Sequence, residues 1–150
     1  MAGDTVHHSG ELRPHPWHPL PKAILPHPFT MSTSSVCPGE LFEGVLRDRK
    51  DSPFYLPASG PHVHYDIPTM IESIEKLQEA DAHDDILFVA AHDDTLSDIV
   101  DYFPKTANDF VKKGWVKQAR WRFLRDFAKA AGYTGKIVAE TDYSPAAENV

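Results

Sequence analysis

Ile86-Leu87-Phe88-Val89-Ala90-Ala91 is an uninterrupted apolar run between Asp85 and His92. Its length is typical of a strand, and no polar residue within it marks a side that faces solvent. A strand that is apolar on both faces is typical of the centre of a layered sheet whose two faces are covered by helices. The run therefore predicts an α/β fold with residues 86–91 as a central strand.

The clearest helix precedes this run, over residues 67–80. Apolar residues recur there at intervals of three and four, which is the spacing of one helix face. Asp66 is placed to cap the N-terminus, and Pro68 falls in the first turn, where its missing N–H costs little. The predicted inward stripe consists of Ile67, Met70, Ile71, Ile74 and Leu77.

Three further helices are predicted from the same periodicity, at residues 38–48, 95–103 and 115–131. The first has Pro38 in its first turn, and Gly132 is a natural stop for the third. In residues 95–103 the inward positions are Leu96, Ile99, Val100 and Phe103. In residues 115–131 the predicted polar side consists of Lys117, Arg120, Arg122, Arg125 and Lys129.

The chain contains only one convincing strand, although a strand cannot satisfy its backbone groups alone. Residues 1–3 and 136–139 are the available short partners. Six prolines interrupt residues 5–36, which are predicted to form an extended loop rather than a long helix or a central strand. We expect one domain over residues 1–140 and a flexible tail over residues 141–150.

Composition excludes several classes of protein. The 150 residues include 15 Lys and Arg and 22 Asp and Glu, the net charge is −7 with neutral His, and 41% are hydrophobic, as in a soluble globular protein. An acidic chain lacks the basic face that nucleic-acid binding needs, and no apolar run approaches the ~20 residues that span a bilayer. We therefore expect neither a nucleic-acid nor a membrane partner. A single cysteine, Cys37, and the absence of a recognisable signal peptide favour a cytoplasmic protein with an inert thiol.

His92-Asp93-Asp94 follows the predicted strand directly. The carboxyl ends of strands in layered α/β folds are where ligands and metals gather, so His92 is a candidate metal ligand. The alternative is that Asp93 or Asp94 caps the next helix and that His92 is a polar residue at the exit of the strand.

Gly3-Asp4-Thr5-Val6-His7-His8 is a second candidate site, because it brings carboxylate and imidazole donors close together. Zinc, manganese and iron all accept that mixture. The alternative is an ordinary Gly-Asp turn with histidines that face solvent.

A third group, His62-Val63-His64, has H-x-H spacing, which places both rings on one side of an extended segment. The adjacent Asp66 is better explained as a helix cap. His83 is expected to lie in a loop, about 30 Å from His92 if the intervening residues are a strand.

Taken together, Gly3-Asp4 with His7-His8, and later Ala91-His92-Asp93, resemble the second half of a metallo-β-lactamase-fold hydrolase of the lactonase or thioesterase type. Residues 114–127 also resemble the C-terminal helix of fungal members. The resemblance implies that Asp4 is the acid that bridges two zinc ions and that His92 is the last ligand. It places His7, as a candidate catalytic residue, where lactonase-like members contact the substrate, usually with Tyr.

The same resemblance implies half of an αββα sandwich, with few strands and three to four flanking helices. The family's H-x-H-x-D-H motif belongs upstream of the Gly-Asp and does not precede it here. We therefore expect a fragment that is inactive alone, with partial or no zinc, whose ancestral reaction is metal-dependent hydrolysis of an ester, thioester or lactone. The alternatives are a binding or regulatory module that self-associates through an uncovered sheet face, and a small His-rich metal-binding protein.

Overall fold

Short helices dominate the regular structure of this computed structural model, which describes residues 3–57 and 66–138. The α-helices in these ranges are α1 (Ser9–Leu12), α2 (Ile67–Asp81) and α3 (Trp115–Arg120). Turns of 3-10 helix lie at Gly3–Thr5, Gly39–Val45, Asp94–Leu96 and Arg122–Phe127. Strands β1 (Ala23–Ile24) and β2 (Cys37–Pro38) pair antiparallel, with Ala23 opposite Pro38 and Ile24 opposite Cys37. The described chain is thus of mixed α and β structure. None of its helices has the length and apolar character needed to cross a bilayer.

Helix α2 confirms the strongest prediction. The Asp66 carboxylate accepts a hydrogen bond from the Thr69 backbone N–H at 3.0 Å, as an N-cap should. Met70 and Ile74 are buried on its inner face. Ile71 is 46% exposed, so its predicted inward orientation is wrong. The buried stripe of α2 is therefore narrower than the sequence pattern suggested.

The predicted central strand is not present in the part of the chain that the structure describes. Residues 86–90 form neither a helix nor a ladder, because no segment within residues 3–57 and 66–138 pairs with them. Phe88 and Ala90 are buried in the cluster that covers α2, and Leu87 and Val89 are partly buried against the cluster around α3, so both sides of the run pack on the core. Ile86, at the start of the run, is 41% exposed. Of the suggested short partners, residue 3 begins a 3-10 turn and residues 136–138 are irregular, whereas residues 1, 2 and 139 lie outside the described residues.

The other predicted helices are shorter in the structure than the sequence pattern suggested. The helix predicted over residues 38–48 is the 3-10 turn Gly39–Val45, and that predicted over residues 95–103 is reduced to Asp94–Leu96. Phe103, predicted to point inward, is 95% exposed. The helix predicted over residues 115–131 breaks at Trp121, where φ is −112°, into α3 and Arg122–Phe127.

The predicted polar side of that last region is confirmed at Lys117 and Lys129, which are exposed, and wrong at its three arginines. Arg120, Arg122 and Arg125 are at most 9% exposed. Arg120 pairs with Asp84 at 2.7 Å, and Arg122 pairs with Asp98 at 2.5 Å. Since buried guanidinium groups need such acidic and carbonyl partners, helical periodicity alone could not reveal that these arginines face inward.

Three apolar clusters form the core, and the proline-rich segment contributes to two of them. One cluster packs this segment against residues 121–128. Its members are Leu20, Ile24, Phe29, Cys37, Phe42, Phe54, Trp121, Phe123, Leu124, Phe127 and Ala128. A second covers α2: Val6, Leu12, Met70, Ile74, Phe88 and Ala90. A third joins α3 to the turn before it: Leu96, Ile99, Trp115 and Ala119. Residues 5–36 therefore carry α1, β1 and core side chains, in addition to the predicted loop.

Candidate metal centre

Asp4 and His92, predicted to share one pocket, lie side by side. Asp4 is in the 3-10 turn Gly3–Thr5, and His92 follows the apolar run 86–91. An Asp4 carboxylate oxygen (Oδ1) is 2.9 Å from Nε2 of His92. The fold thus brings together two side chains that are remote in sequence, as the prediction requires. Whether they ligate a metal is a separate matter, and that role stays a prediction.

Backbone and core contacts on both sides create this proximity. The Ala91 N–H donates to the carbonyl oxygen of Gly3 at 3.2 Å, which ties the end of the apolar run to the turn that carries Asp4. Gly3 has a φ of +55°, in the left-handed region that favours glycine. Val6 and Ala90 belong to the same buried cluster beneath the site.

His7 is the third potential ligand. Its ring stacks on that of His92, with centroids 5.2 Å apart and planes inclined by 16°. Asp4, His7 and His92 each offer a donor atom, and these atoms lie within 4.8 Å of one another. The sequence motif indicated substrate contact for His7 and did not connect it with His92. The spacing of Asp4 and His7, three positions apart around a turn, is the signal that could have suggested it.

His8 has a different role from its neighbour. Its Nδ1 accepts a hydrogen bond from the Gly10 N–H at 2.9 Å and so caps α1. Its Nε2 bonds Asp126 at 2.9 Å. His8 is therefore a structural residue, and the interpretation of His7 and His8 as a pair of solvent-facing side chains is wrong.

Asp93 serves as the cap that the alternative interpretation proposed. It accepts hydrogen bonds from the Thr95 N–H at 3.1 Å and from the Ser9 hydroxyl. The second bond joins the start of α1 to the turn after His92. The cap and the candidate ligand are therefore compatible, because Asp93 fixes the backbone on which His92 stands.

The donor set suits a divalent metal ion. Two imidazoles and one carboxylate are the ligands of many catalytic zinc sites, which keep a further position open. Ligand atoms about 2.1 Å from a tetrahedral zinc ion are about 3.4 Å apart, so three donor atoms that lie within 4.8 Å of one another reach that geometry by a side-chain adjustment of about 1–1.5 Å. Asp4 and His92 are 71% and 62% exposed, which leaves the open position accessible to solvent. In the described ranges, this is the one group of three such donors.

The other candidate residues are not part of this group. His62, Val63 and His64 lie outside the described residues, and Asp66 caps α2. His83 is exposed in the turn after α2, and its carbonyl accepts from Arg120 at 3.0 Å. Cys37 is fully buried, and burial raises the pKa of its thiol, so it has the inert character expected of it.

Comparison with known proteins identifies relatives of this chain. The chain is 44% identical over 128 residues to a gamma-lactamase of Fusarium pseudograminearum, covering 85% of this chain and 31% of the relative. It is 36% identical over 130 residues to a metallo-hydrolase of Annulohypoxylon moriforme, covering 87% of this chain and 33% of the relative. The chain is a homologue of these metallo-hydrolases. The predicted resemblance to metallo-β-lactamase-fold hydrolases is thereby confirmed.

This metallo-hydrolase homologue spans about a third of the length of those two relatives. It is also 31% identical over 130 residues to a cytochrome P450 monooxygenase of Penicillium roqueforti, covering 87% of this chain but only 13% of that much longer protein. No family model matches the chain, and no solved structure matches it. The relatives' names imply a metal cofactor without identifying the metal.

Proposed function

We propose that this chain is the part of a metallo-hydrolase that supplies the bridging acid and the last histidine of a two-metal site. The observation that carries the proposal is the 2.9 Å contact between Asp4 and His92, in a chain related to a gamma-lactamase over 85% of its length. The remaining ligands would come from the two thirds of the relatives' length that this chain does not span. We further propose that the chain is inactive alone.

The metal ions, when bound, acidify a water molecule and polarise the substrate carbonyl. The residues of this chain hold and orient them: Asp4 offers two carboxylate oxygens, enough to face two ions, and His92 offers one imidazole nitrogen. The exposed position of both side chains leaves room for a substrate to approach. The relationship to a gamma-lactamase favours a cyclic amide as substrate, and the lactonase-like motif extends the class to lactones, esters and thioesters.

The half-sandwich architecture belongs to the same proposal. Residues 86–90 pack on α2 through Phe88 and Ala90 and on the cluster around α3 through Leu87 and Val89. No described segment pairs with their backbone, and Ile86 at the start of the run is 41% exposed. A neighbouring strand supplied by the rest of a metallo-hydrolase would satisfy the backbone there and cover the exposed apolar side chains. The C-terminal position of this piece in the complete enzyme remains part of the proposal.

A complementation assay tests the proposed function. The chain is mixed with a recombinant segment of the Fusarium gamma-lactamase that comprises the regions this chain does not match, in buffer with zinc, and hydrolysis of a lactam, a lactone and a thioester is followed. We expect hydrolysis by the mixture and none by either component. Asp4→Asn should abolish it, and the control Asp85→Asn, at the other end of the apolar run, should not. Hydrolysis by the chain alone, or none by the mixture, contradicts the proposal.

A second candidate function is a non-catalytic module that associates with a copy of itself. The backbone of residues 86–90, which pairs with no described segment, and the 41% exposed Ile86 favour it, because an unpaired apolar edge is a site of strand pairing. Size-exclusion chromatography with light scattering tests this candidate. A monodisperse dimer that Ile86→Lys converts to a monomer would support the module, and a monomeric wild-type chain would exclude it.

A further inference from the structure

The candidate metal centre contains one more donor than the family resemblance assigns to it. Asp4 and His92 are the two expected ligands. The His7 ring lies against His92 at a centroid distance of 5.2 Å, and all three donor atoms lie within 4.8 Å of one another. His7 is thus placed to act on a metal ion itself rather than only on a substrate beyond it.

The number of ligands gives this placement its significance. Two protein ligands are fewer than the three that catalytic zinc sites normally have. A second imidazole raises the number to three and completes a set of two histidines and a carboxylate, which binds zinc while leaving one position open. With His7 included, the described residues can hold one ion without any residue from another segment.

The backbone of His7 is held in place by its own contacts. Its backbone N–H donates to the Glu11 carboxylate at 3.1 Å, and the preceding residue, Val6, is fully buried in the cluster on α2. The His7 side chain is half-buried, whereas Asp4 and His92 are mostly exposed. A ligand whose backbone is already fixed loses less freedom when the ion binds, which favours binding.

We propose that His7 is a metal ligand and that Asp4, His7 and His92 together bind one zinc ion in this chain alone. The inference rests on the proposed function only because both concern the pocket that contains Asp4 and His92. It differs in predicting a single-ion site that is complete within this chain. His7 would then occupy the position where a lactonase-like enzyme contacts its substrate, so a restored two-metal enzyme would have altered substrate contacts.

Zinc titration of the purified full-length chain by calorimetry tests the inference, with metal content measured after dialysis. We expect about one zinc per chain. His7→Ala and His92→Ala should each weaken zinc binding by more than about 100-fold, because even loss of an outer-shell partner costs roughly 10- to 100-fold. His83→Ala is the matched control, since it removes an exposed histidine outside the group, and it should leave affinity unchanged.

A second variant and a second readout protect the test against misfolding. His7→Asp keeps a donor at the same position and should restore most of the affinity that His7→Ala loses. The visible spectrum of bound cobalt(II) should change in His7→Ala, because an imidazole ligand has been lost. Circular dichroism must show that each variant keeps the wild-type helix content.

Four results would overturn the inference: no zinc binding by the wild-type chain, two ions per chain, wild-type affinity in His7→Ala, or loss of binding in His62→Ala but not in His7→Ala. The complementation assay tests the proposed function independently of these measurements. An active mixture whose zinc content is independent of His7 would refute this inference alone. A His7-dependent single ion in a chain that never complements would refute only the proposed function.

Discussion

Asp81, at the end of α2, is the acid on which the largest stability prediction rests. Its side chain is 1% exposed and receives two hydrogen bonds from Arg13, from Nε at 2.7 Å and from a terminal nitrogen at 2.5 Å. His15 Nε2 lies 3.2 Å from the same carboxylate. Burial raises the pKa of Asp81, but the Arg13 charge and the hydrogen bonds lower it more, so its pKa lies well below the ordinary value of 3.8.

Asp81→Asn keeps the shape of this side chain and removes its charge. Arg13, which is 4% exposed, then remains as a buried cation without its acid. Removing one partner of a buried pair costs about 3–5 kcal/mol, a large fraction of the ~5–15 kcal/mol by which domains are stable. The free energy of unfolding from urea titration should fall by that amount at pH 7, with an unchanged m-value.

Asp84→Asn is the control for this measurement. Asp84 also pairs with an arginine, Arg120, at 2.7 Å, but the Asp84 side chain is 71% exposed. Arg120 is itself buried, but it also donates to the carbonyl oxygens of Asp81 and His83, and water reaches Asp84. This half-exposed pair should therefore contribute only about 1 kcal/mol, and the variant should lose much less stability than Asp81→Asn. If the two variants lose similar free energy, or if Asp81→Asn loses less than about 1 kcal/mol, the reasoning from burial is refuted.

The pH dependence provides a second check on Asp81. A carboxyl group with a lowered folded-state pKa stabilises the protein above its unfolded-state pKa and loses that contribution as the pH falls further. The wild-type chain should therefore retain the Asp81 contribution at pH 5 and lose it progressively below pH 3.8. Asp81→Asn should show a shallower loss of stability over this acid range.

Three further predictions concern packing and one histidine. Phe123 is fully buried and Phe103 is 95% exposed. Phe123→Ala should therefore lower the free energy of unfolding in urea by about 3–5 kcal/mol, and Phe103→Ala by less than about 0.5 kcal/mol. Similar losses in the two variants would contradict the described core. A Cβ atom at Gly39 would overlap the backbone carbonyl oxygen of Pro21, whereas a Cβ atom at Gly44 would meet no atom within 4 Å. Gly39→Ala should therefore lower the melting temperature and Gly44→Ala should not; equal melting temperatures would exclude this close approach. Burial and nearby positive charge lower the pKa of His18 from 6.5, so the free energy of unfolding should fall as the pH drops below 6.5. The fall should be smaller in His18→Gln. An identical pH profile in that variant would contradict the role of His18 in this pH dependence.

Helix α2 could be predicted because its signals are local. The Asp66 cap, Pro68 in the first turn and the stripe containing Met70 and Ile74 act within a few residues of one another. Their effects do not depend on what lies elsewhere in the chain. Only the breadth of the stripe was overestimated, since exposure of Ile71 depends on what packs against the helix.

Residues 86–91 and 115–131 show where local reasoning failed. An apolar run becomes a strand only if another segment pairs with it, and no described segment does so. In residues 115–131 a basic stripe was assigned to solvent. Arg122 instead reaches Asp98 and the Val138 carbonyl, and no local pattern contains those partners.

The candidate metal centre was likewise predicted in part. The sequence motifs indicated Asp4 and His92 through the family resemblance, and they indicated Asp93 as a possible cap. The Gly3–His8 motif made His7 a candidate donor beside Asp4, and the family resemblance assigned it to the substrate. Neither connected His7 with His92, because the distance between them depends on how the chain folds. The stacked rings and the common donor geometry are visible only in the folded chain.

The sequence alone determined the family, the bounds of α2 to within one residue and the identity of two candidate ligands. These follow from residue types and short spacings, which exist before the chain folds. Tertiary structure alone decided that His7 lies beside Asp4 and His92, that three arginines are buried and that the apolar run packs between two clusters with no strand partner in the described residues. Those outcomes depend on contacts between remote segments, and such contacts form only when burial of apolar surface outweighs the entropy lost in closing the loops between them.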